Sequence, residues 1–221
     1  MRLKGGLVRA VAPALCIVAP VGLAPERLLH PAPWMLVLCL SVVYATQPAA
    51  RGAWRDAGDR HSAIFILIST AIASLTAVVD FTARQRLIPP PLSLPVAFGV
   101  LLAVAGVGLR LWSIRSLGPR FTALVAPPQT DGLVERGPYA RIRHPAYAGV
   151  LIAQVGMCVM FASPLAGAAV AGLVLPAYLF RIRLEEDVLI ARLGKRYLDY
   201  RCRTGALLPK ASGRARERLA R

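Results

Sequence analysis

The apolar residues of this chain are gathered into long runs separated by short charged stretches. His61 is followed by no charged residue until Asp80, Pro31 to Ala50 carries none, and Ala146 to Phe180 is an uncharged run of 35 residues. Runs of this kind match the hydrocarbon core of a bilayer, which is about 30 Å thick. Six apolar segments result, at roughly 8–24, 33–48, 62–80, 94–112, 147–162 and 165–180. In hydrocarbon the backbone must satisfy its own hydrogen bonds, so these segments are expected to be helices. The expected fold is therefore all-α, a polytopic membrane helix bundle of five to six spans. Arg9 and Arg110 lie near segment ends, where a long side chain can snorkel to the interface.

The last two segments need separating. One helix over 35 residues would be about 52 Å long, more than a bilayer needs. Ser163-Pro164 sits in the middle of the run, and proline interrupts a helix. A helical hairpin is expected, with legs of about 24 Å that need not reach the far leaflet. After it, residues 182–203 read as an amphipathic cytoplasmic helix, with Leu184, Val188, Ala191 and Tyr197 at helical spacing and Gly205 and Pro209 behind it. Residues 114–145 form a Gly-, Pro- and Arg-rich loop too long for a mere connector. The chain thus divides into membrane spans over 1–113, a loop–hairpin–helix unit over 114–209 and a basic tail over 210–221 that can lie on anionic lipid.

Charge sharpens this picture. The formal net charge is +16, and 24 of the 27 basic residues are Arg. They fall between the apolar runs and at the C-terminus, and no zinc-finger, basic-zipper or aromatic RNA-binding signature accompanies them, so nucleic acid is not an expected partner. With six crossings, Arg2, Lys4, Arg9, the arginines 51, 55 and 60, those between 115 and 143, and the C-terminal cluster share one side. Basic loops stay in the cytoplasm, which places both termini there. Arg2 and Lys4 before an apolar run resemble a signal peptide, but the later spans favour a first retained span. Cys16, Cys39, Cys158 and Cys202 are too dispersed to form a metal pair, and no metal site is expected.

Two constellations can carry chemistry. The first is Gly137-Pro138-Tyr139 followed by Arg143-His144-Pro145-Ala146-Tyr147-Ala148-Gly149. Pro145 holds His144 out of helical geometry, and a helix starting behind it offers free N–H donors and a positive dipole end. Two tyrosines, a histidine and an arginine near that end suit a ligand with a carboxylate, an aromatic base and ribose hydroxyls. A purely topological basic connector with interfacial tyrosines has the same composition. The second is Arg181 and Glu185, four apart on one helix face where the hairpin leaves the membrane. A plain salt bridge is the alternative to a site. Glu186 points to another face and reads as a solvated or loop-pairing charge.

Taken in order, these residues resemble the isoprenylcysteine carboxyl methyltransferase and phospholipid methyltransferase group of membrane enzymes. The resemblance runs from about Leu117 to Pro209. It rests on Leu133-Val134, Gly137-Pro138-Tyr139, Arg143-His144-Pro145, Tyr147, Gly149, Arg181, Glu185-Glu186, Leu189-Ile190, Gly194, Tyr197, Tyr200 and Pro209. It implies an enzyme using S-adenosylmethionine, held by Leu133, Val134, Tyr139, His144 and Tyr147, with Arg181 and Glu185 on the acceptor side. Where the group often has a His two residues before the Leu-Val pair, this chain has Asp131, the corresponding candidate for cofactor contact. The first 110 residues show no comparable match.

The implied reaction is methyl transfer to a lipid-linked or apolar small-molecule acceptor drawn from the membrane, with no obligatory protein partner. The leading form is carboxyl O-methylation of an isoprenylcysteine-like molecule, with Arg181 orienting the carboxylate by a two-pronged contact. Methylation of a phospholipid amine or a small thiol, and a non-catalytic membrane accessory protein, are the alternatives.

Overall fold

The computed structural model describes Leu15 and residues 19–23, 25–46, 60–84, 89–118, 121 and 132–210. Six helices organise them: α1 Pro31–Ala45, α2 Arg60–Ala83, α3 Leu94–Leu117, α4 Pro145–Met160, α5 Pro164–Leu193 and α6 Lys195–Arg203. Among the described residues there is no strand, only a single parallel bridge between Ile142 and Gly205.

Local sequence explains where the helices begin and end. His30 caps α1, its Nδ1 accepting from the Ala32 N–H at 3.2 Å, and prolines occupy the first turn, where a missing N–H costs nothing. Ser163 caps α5 in the same way, accepting from the Ala166 N–H at 3.1 Å. Inside α5 the stretch Val170–Val174 widens to a π turn, and the Leu175 N–H reaches back five residues to the Val170 carbonyl. Pro176 follows directly, and its missing N–H leaves the local ladder to be re-registered. Gly194, at φ 54°, separates α5 from α6, a conformation that a side chain disfavours.

Three helical stretches, His61–Ala83, Leu94–Leu117 and Pro164–Leu193, are long and apolar enough to cross a bilayer, and Pro31–Ala45 and Pro145–Met160 are shorter apolar helices. The chain is a multi-pass membrane protein. Large apolar side chains such as Phe65, Phe98, Leu101 and Leu165 point outward, as they do toward lipid. Two sequence expectations change. The first apolar segment lies mostly outside the described residues, and its described end is two 3-10 turns, Ala19–Leu23 and Pro25–Leu29. The hairpin's second leg does not hand over to a separate helix at residue 182. It runs unbroken to Leu193, so Arg181, Glu185 and Glu186 ride on a membrane helix, and the break falls at Gly194.

The tightest seam joins α3 and α4. A Cβ on Gly106 would lie 2.4 Å from the Gly149 carbonyl oxygen, and one on Gly149 would lie 2.5 Å from the Gly106 carbonyl oxygen. Backbone approach of this kind lets dispersion contacts hold helices together where lipid offers no hydrophobic drive. It also fixes the start of α4 against Arg110 on α3.

Candidate active site

Four stretches meet at one end of the bundle: the start of α2, the Arg141–His144 loop with the first turn of α4, the C-terminal half of α5, and the segment after α6. Tyr147, on the first turn of α4, donates its hydroxyl proton to Glu185 Oε1 and accepts from Arg181 Nε at 2.8 Å. Arg181 Nε also donates to Glu185 Oε1 at 3.1 Å, and its Nη1 donates to Ser62 Oγ at 3.1 Å. The i,i+4 pair on α5 is therefore drawn into a wider network spanning three helices.

His144 lies between two carboxylates. Its Nδ1 is 3.4 Å from Glu185 Oε2 and its Nε2 3.4 Å from Glu186 Oε1. Its ring stacks parallel to Tyr147, with centroids 5.7 Å apart. Burial works against charging this imidazole, but hydrogen bonds and charge from Glu185 and Glu186 outweigh it and raise it above its ordinary value. Both nitrogens face acceptors, which favours the doubly protonated ring.

Glu186 is buried and pairs with the loop, the second of the two roles its place in the sequence allowed. Arg143 Nε donates to its Oε1 at 2.7 Å and Arg201 Nε lies 3.3 Å from its Oε2. Arg143 also donates through Nη1 to the Arg201 carbonyl at 3.2 Å and to the Thr204 carbonyl. Beside it, the Arg143 and His144 N–H groups donate to the Gly205 and Ala206 carbonyls at 2.8 and 3.0 Å, and the Gly205 N–H donates to the Arg141 carbonyl at 3.2 Å. Tyr200 on α6 closes the clasp, donating to the Tyr139 carbonyl at 2.7 Å. Burial pushes the Tyr200 phenol up to about 12, so it stays protonated and able to donate.

Of the residues singled out from sequence, Tyr147, His144, Arg181 and Glu185 form one network, with His144 and Arg181 each meeting both Tyr147 and Glu185. Tyr139 is buried beneath α6 and joins through its carbonyl. Leu133 and Val134 are half-buried in the extended segment that leads to the Gly137 turn. Asp131 lies outside the described residues.

Sequence reasoning missed two contributors. Ser62 gave no signal beyond its place at the start of an apolar run. Arg110 was expected to snorkel to the interface, yet it is 2% exposed. Its Nε donates to Thr46 Oγ1 at 3.1 Å, while its Nη2 is buried with no hydrogen-bond partner. Its backbone packs on Gly149, two residues from Tyr147, and Tyr178, Tyr147 and Tyr139 lie within its electrostatic reach. A guanidinium four residues before the loop that bears the Gly-Pro turn was legible as an anomaly at the end of an apolar run; which way it turned was not.

Residues 99–191 match the model of the isoprenylcysteine carboxyl methyltransferase (ICMT) family. The chain is 32% identical over 146 residues to a mouse protein-S-isoprenylcysteine O-methyltransferase, covering 64% of this chain and 52% of that protein. It is 36% identical over 105 residues to protein-S-isoprenylcysteine O-methyltransferase A of Arabidopsis thaliana, covering 47% of this chain and 53% of that one. The chain spans about half the length of these curated relatives. A solved structure of the eukaryotic intramembrane Ras methyltransferase ICMT superposes with a TM-score of 0.60 at 22% identity, covering 90% of this chain and 72% of that one. The matched stretch takes in α4, most of α5 and all but the first five residues of α3, and so includes Arg110, His144, Tyr147, Arg181, Glu185 and Glu186. The clasp from α6 onward and Ser62 lie outside it.

Proposed function

We propose that this chain is an S-adenosylmethionine-dependent carboxyl O-methyltransferase acting on a lipid-linked, isoprenylcysteine-like acceptor at the membrane. The observation that carries the reading is a charged, multi-helix cluster of Arg181, Glu185, Tyr147 and His144 beside a buried guanidinium donor that has no partner, Arg110 Nη2. An unpaired buried donor is costly, and a cationic one suits an anionic oxygen best.

The donor set fits the cofactor as well as the acceptor. His144, Tyr147, Tyr139 and the Leu133-Val134 segment are the residues that would hold S-adenosylmethionine, with Asp131 an additional candidate. When bound, that molecule supplies a methyl group already electrophilic on a sulfonium sulfur. The protein's task is then alignment and exclusion of water. Arg181, braced by Glu185, Tyr147 and Ser62, forms a fixed wall against which the acceptor carboxylate is oriented. Arg110 adds a second cationic donor from α3. The acceptor carboxylate is ionised at neutral pH, so the protein would need to supply orientation and no base.

The relatives' names specify an isoprenylcysteine on a protein, and we assign the same carboxylate class here, presented from the bilayer. The cluster stands at the end of the bundle that carries Arg115, Arg136, Arg141, Arg183, Arg192, Arg196, Arg201 and Arg203, whereas the other end has Arg27 and Arg84. By the distribution of basic residues this end, and both termini, are cytoplasmic.

The test is to supply methyl-labelled S-adenosylmethionine to membranes containing the protein and treat the labelled product with mild alkali. A carboxyl methyl ester releases its label as methanol. Label that survives alkali points to nitrogen or sulfur as acceptor, and absence of label in any lipid-soluble product removes the enzyme reading.

A further inference from the structure

Directly beneath the charged cluster, toward the middle of the bundle, is a half-open cavity of about 100 Å³ lined by α1, α2, α4 and α5. Tyr178 stands at its edge and tilts against Tyr147, with ring centroids 5.1 Å apart, so the cavity adjoins the site. Its lining is mostly aliphatic, as in Leu40, Ile66 and Val150. Besides Cys39 and Tyr178, two polar side chains depart from that pattern. Gln154 on α4 and Thr70 on α2 both line the cavity, and both Gln154 Nε2 and Thr70 Oγ1 are buried without a hydrogen-bond partner.

A cavity serving only hydrocarbon would be cheaper with Leu and Val at these positions, because each unpaired donor in a lipid-surrounded core is destabilising. Two such donors on different helices, facing one space, specify a ligand atom that accepts hydrogen bonds. Helix geometry sets its depth. Gln154 is seven residues below Tyr147 on α4, and Thr70 eight below Ser62 on α2. At 1.5 Å per residue both lie about 10–12 Å below the cluster.

We propose that this cavity selects an acceptor whose lipid chain carries a hydrogen-bond-accepting oxygen, a ketone, hydroxyl or ether, about 10 Å from the carboxylate that is methylated. Gln154 and Thr70 are its specificity determinants. The inference rests on the carboxyl methyltransferase reading and deepens it: the favoured chain is oxygenated rather than plain hydrocarbon.

The experiment compares two synthetic probes with the full-length protein in lipid nanodiscs: N-acetyl-S-dodecylcysteine, and the same compound with a keto group at about the sixth chain carbon. The wild-type protein should prefer the keto compound by about tenfold in kcat/KM, the worth of one well-made neutral hydrogen bond. Gln154→Leu exchanges the donor for hydrocarbon of similar size, and should raise use of the plain chain while lowering that of the keto chain. Thr70→Val should shift the ratio the same way by a smaller factor. Since each variant is read by a ratio of two substrates, loss of folded protein does not mimic the result. Equal use of the two probes by the wild type, or a preference that survives both substitutions, overturns the inference alone. Failure to esterify either probe overturns the reading it rests on, and this inference with it.

Discussion

The two ends of the helix bundle are both polar and both buried, yet they are built differently. On α2, Ser62 and Asp80 are 18 residues apart, about 27 Å along the helix, close to the thickness of a hydrocarbon core. At the Asp80 end the polar groups form small local sets. Asp80 accepts from Ser163 Oγ at 2.6 Å and pairs with Arg84 one turn away at 2.5 Å. His30 caps α1 and lies 3.2 Å from the Pro89 carbonyl, and Arg27 rests over the Phe81 ring at 5.4 Å. Each carboxylate there meets a single guanidinium, Asp80 with Arg84 and Glu26 with Arg27 at 3.7 Å, and loops are tied to helix ends. At the Ser62 end, Glu185 and Glu186 meet Arg143, His144, Arg181 and Arg201, joined by Tyr147, and Arg110 adds a further buried cation. Charge is concentrated there well beyond what tying a loop requires. Buried ion pairs contribute little net stability once desolvation is counted, so such a concentration is better explained by a ligand than by folding.

The largest way to test that contrast is Arg181→Lys. The charge remains but the planar donor pair is lost, so Nε can no longer serve Tyr147 and Glu185 while Nη1 reaches Ser62. Methyl transfer should fall by about 100-fold, the cost of a misplacement of about 1 Å, while binding of S-adenosylmethionine measured by calorimetry changes little. Full activity would remove Arg181 from the reaction. Next comes the seam that holds the cluster's helices. Gly149→Ala forces a methyl group against the Gly106 carbonyl at 2.5 Å and should lower thermal stability by about 1–3 kcal/mol, with the loss visible in detergent unfolding before any change in substrate preference. Asp80→Asn probes the opposite end: it should cost about 1 kcal/mol of stability by weakening the contacts to Arg84 and Ser163, and leave kcat near wild type. A large drop in kcat there would erase the distinction between the two ends.

The smallest expected effect is a pH dependence. His144 in the folded protein binds its proton more tightly than in the unfolded chain, where an imidazole has its ordinary value of about 6.5. Its contribution to stability is therefore fully present below about 6.5 and is lost as pH rises through the raised folded value. Melting temperature should decline over that interval in the wild type and decline less in His144→Asn. An unchanged slope in the variant would mean that the two carboxylates do not hold a charged imidazole.

The chain's pattern went far toward the fold because hydrocarbon is an unforgiving solvent. Uncharged runs of bilayer length must be helical, and a Ser-Pro step such as Ser163-Pro164 in the middle of an overlong run turns the chain. The site was partly legible for a related reason. His144 before Pro145, and Arg181 four residues before Glu185, are polar groups placed where the lipid environment makes them costly, which marks them out. Ser62 was not legible, since a serine at the head of an apolar run is unremarkable until Arg181 is seen to reach it.

By itself, then, the order of residues determined that this protein is a bundle of membrane helices, where most of those helices start, and which charged residues stand at the membrane boundary. Only the tertiary structure decided that α5 runs on to Gly194, that Arg110 turns inward instead of snorkelling, and that Glu186 locks the His-Pro loop to the segment after α6. Hydrophobic periodicity is a property of neighbours along the chain. The direction of a long cationic side chain, and the partner of a buried carboxylate, depend on which helices are packed beside it, through contacts that reach across 42 to 119 positions of sequence.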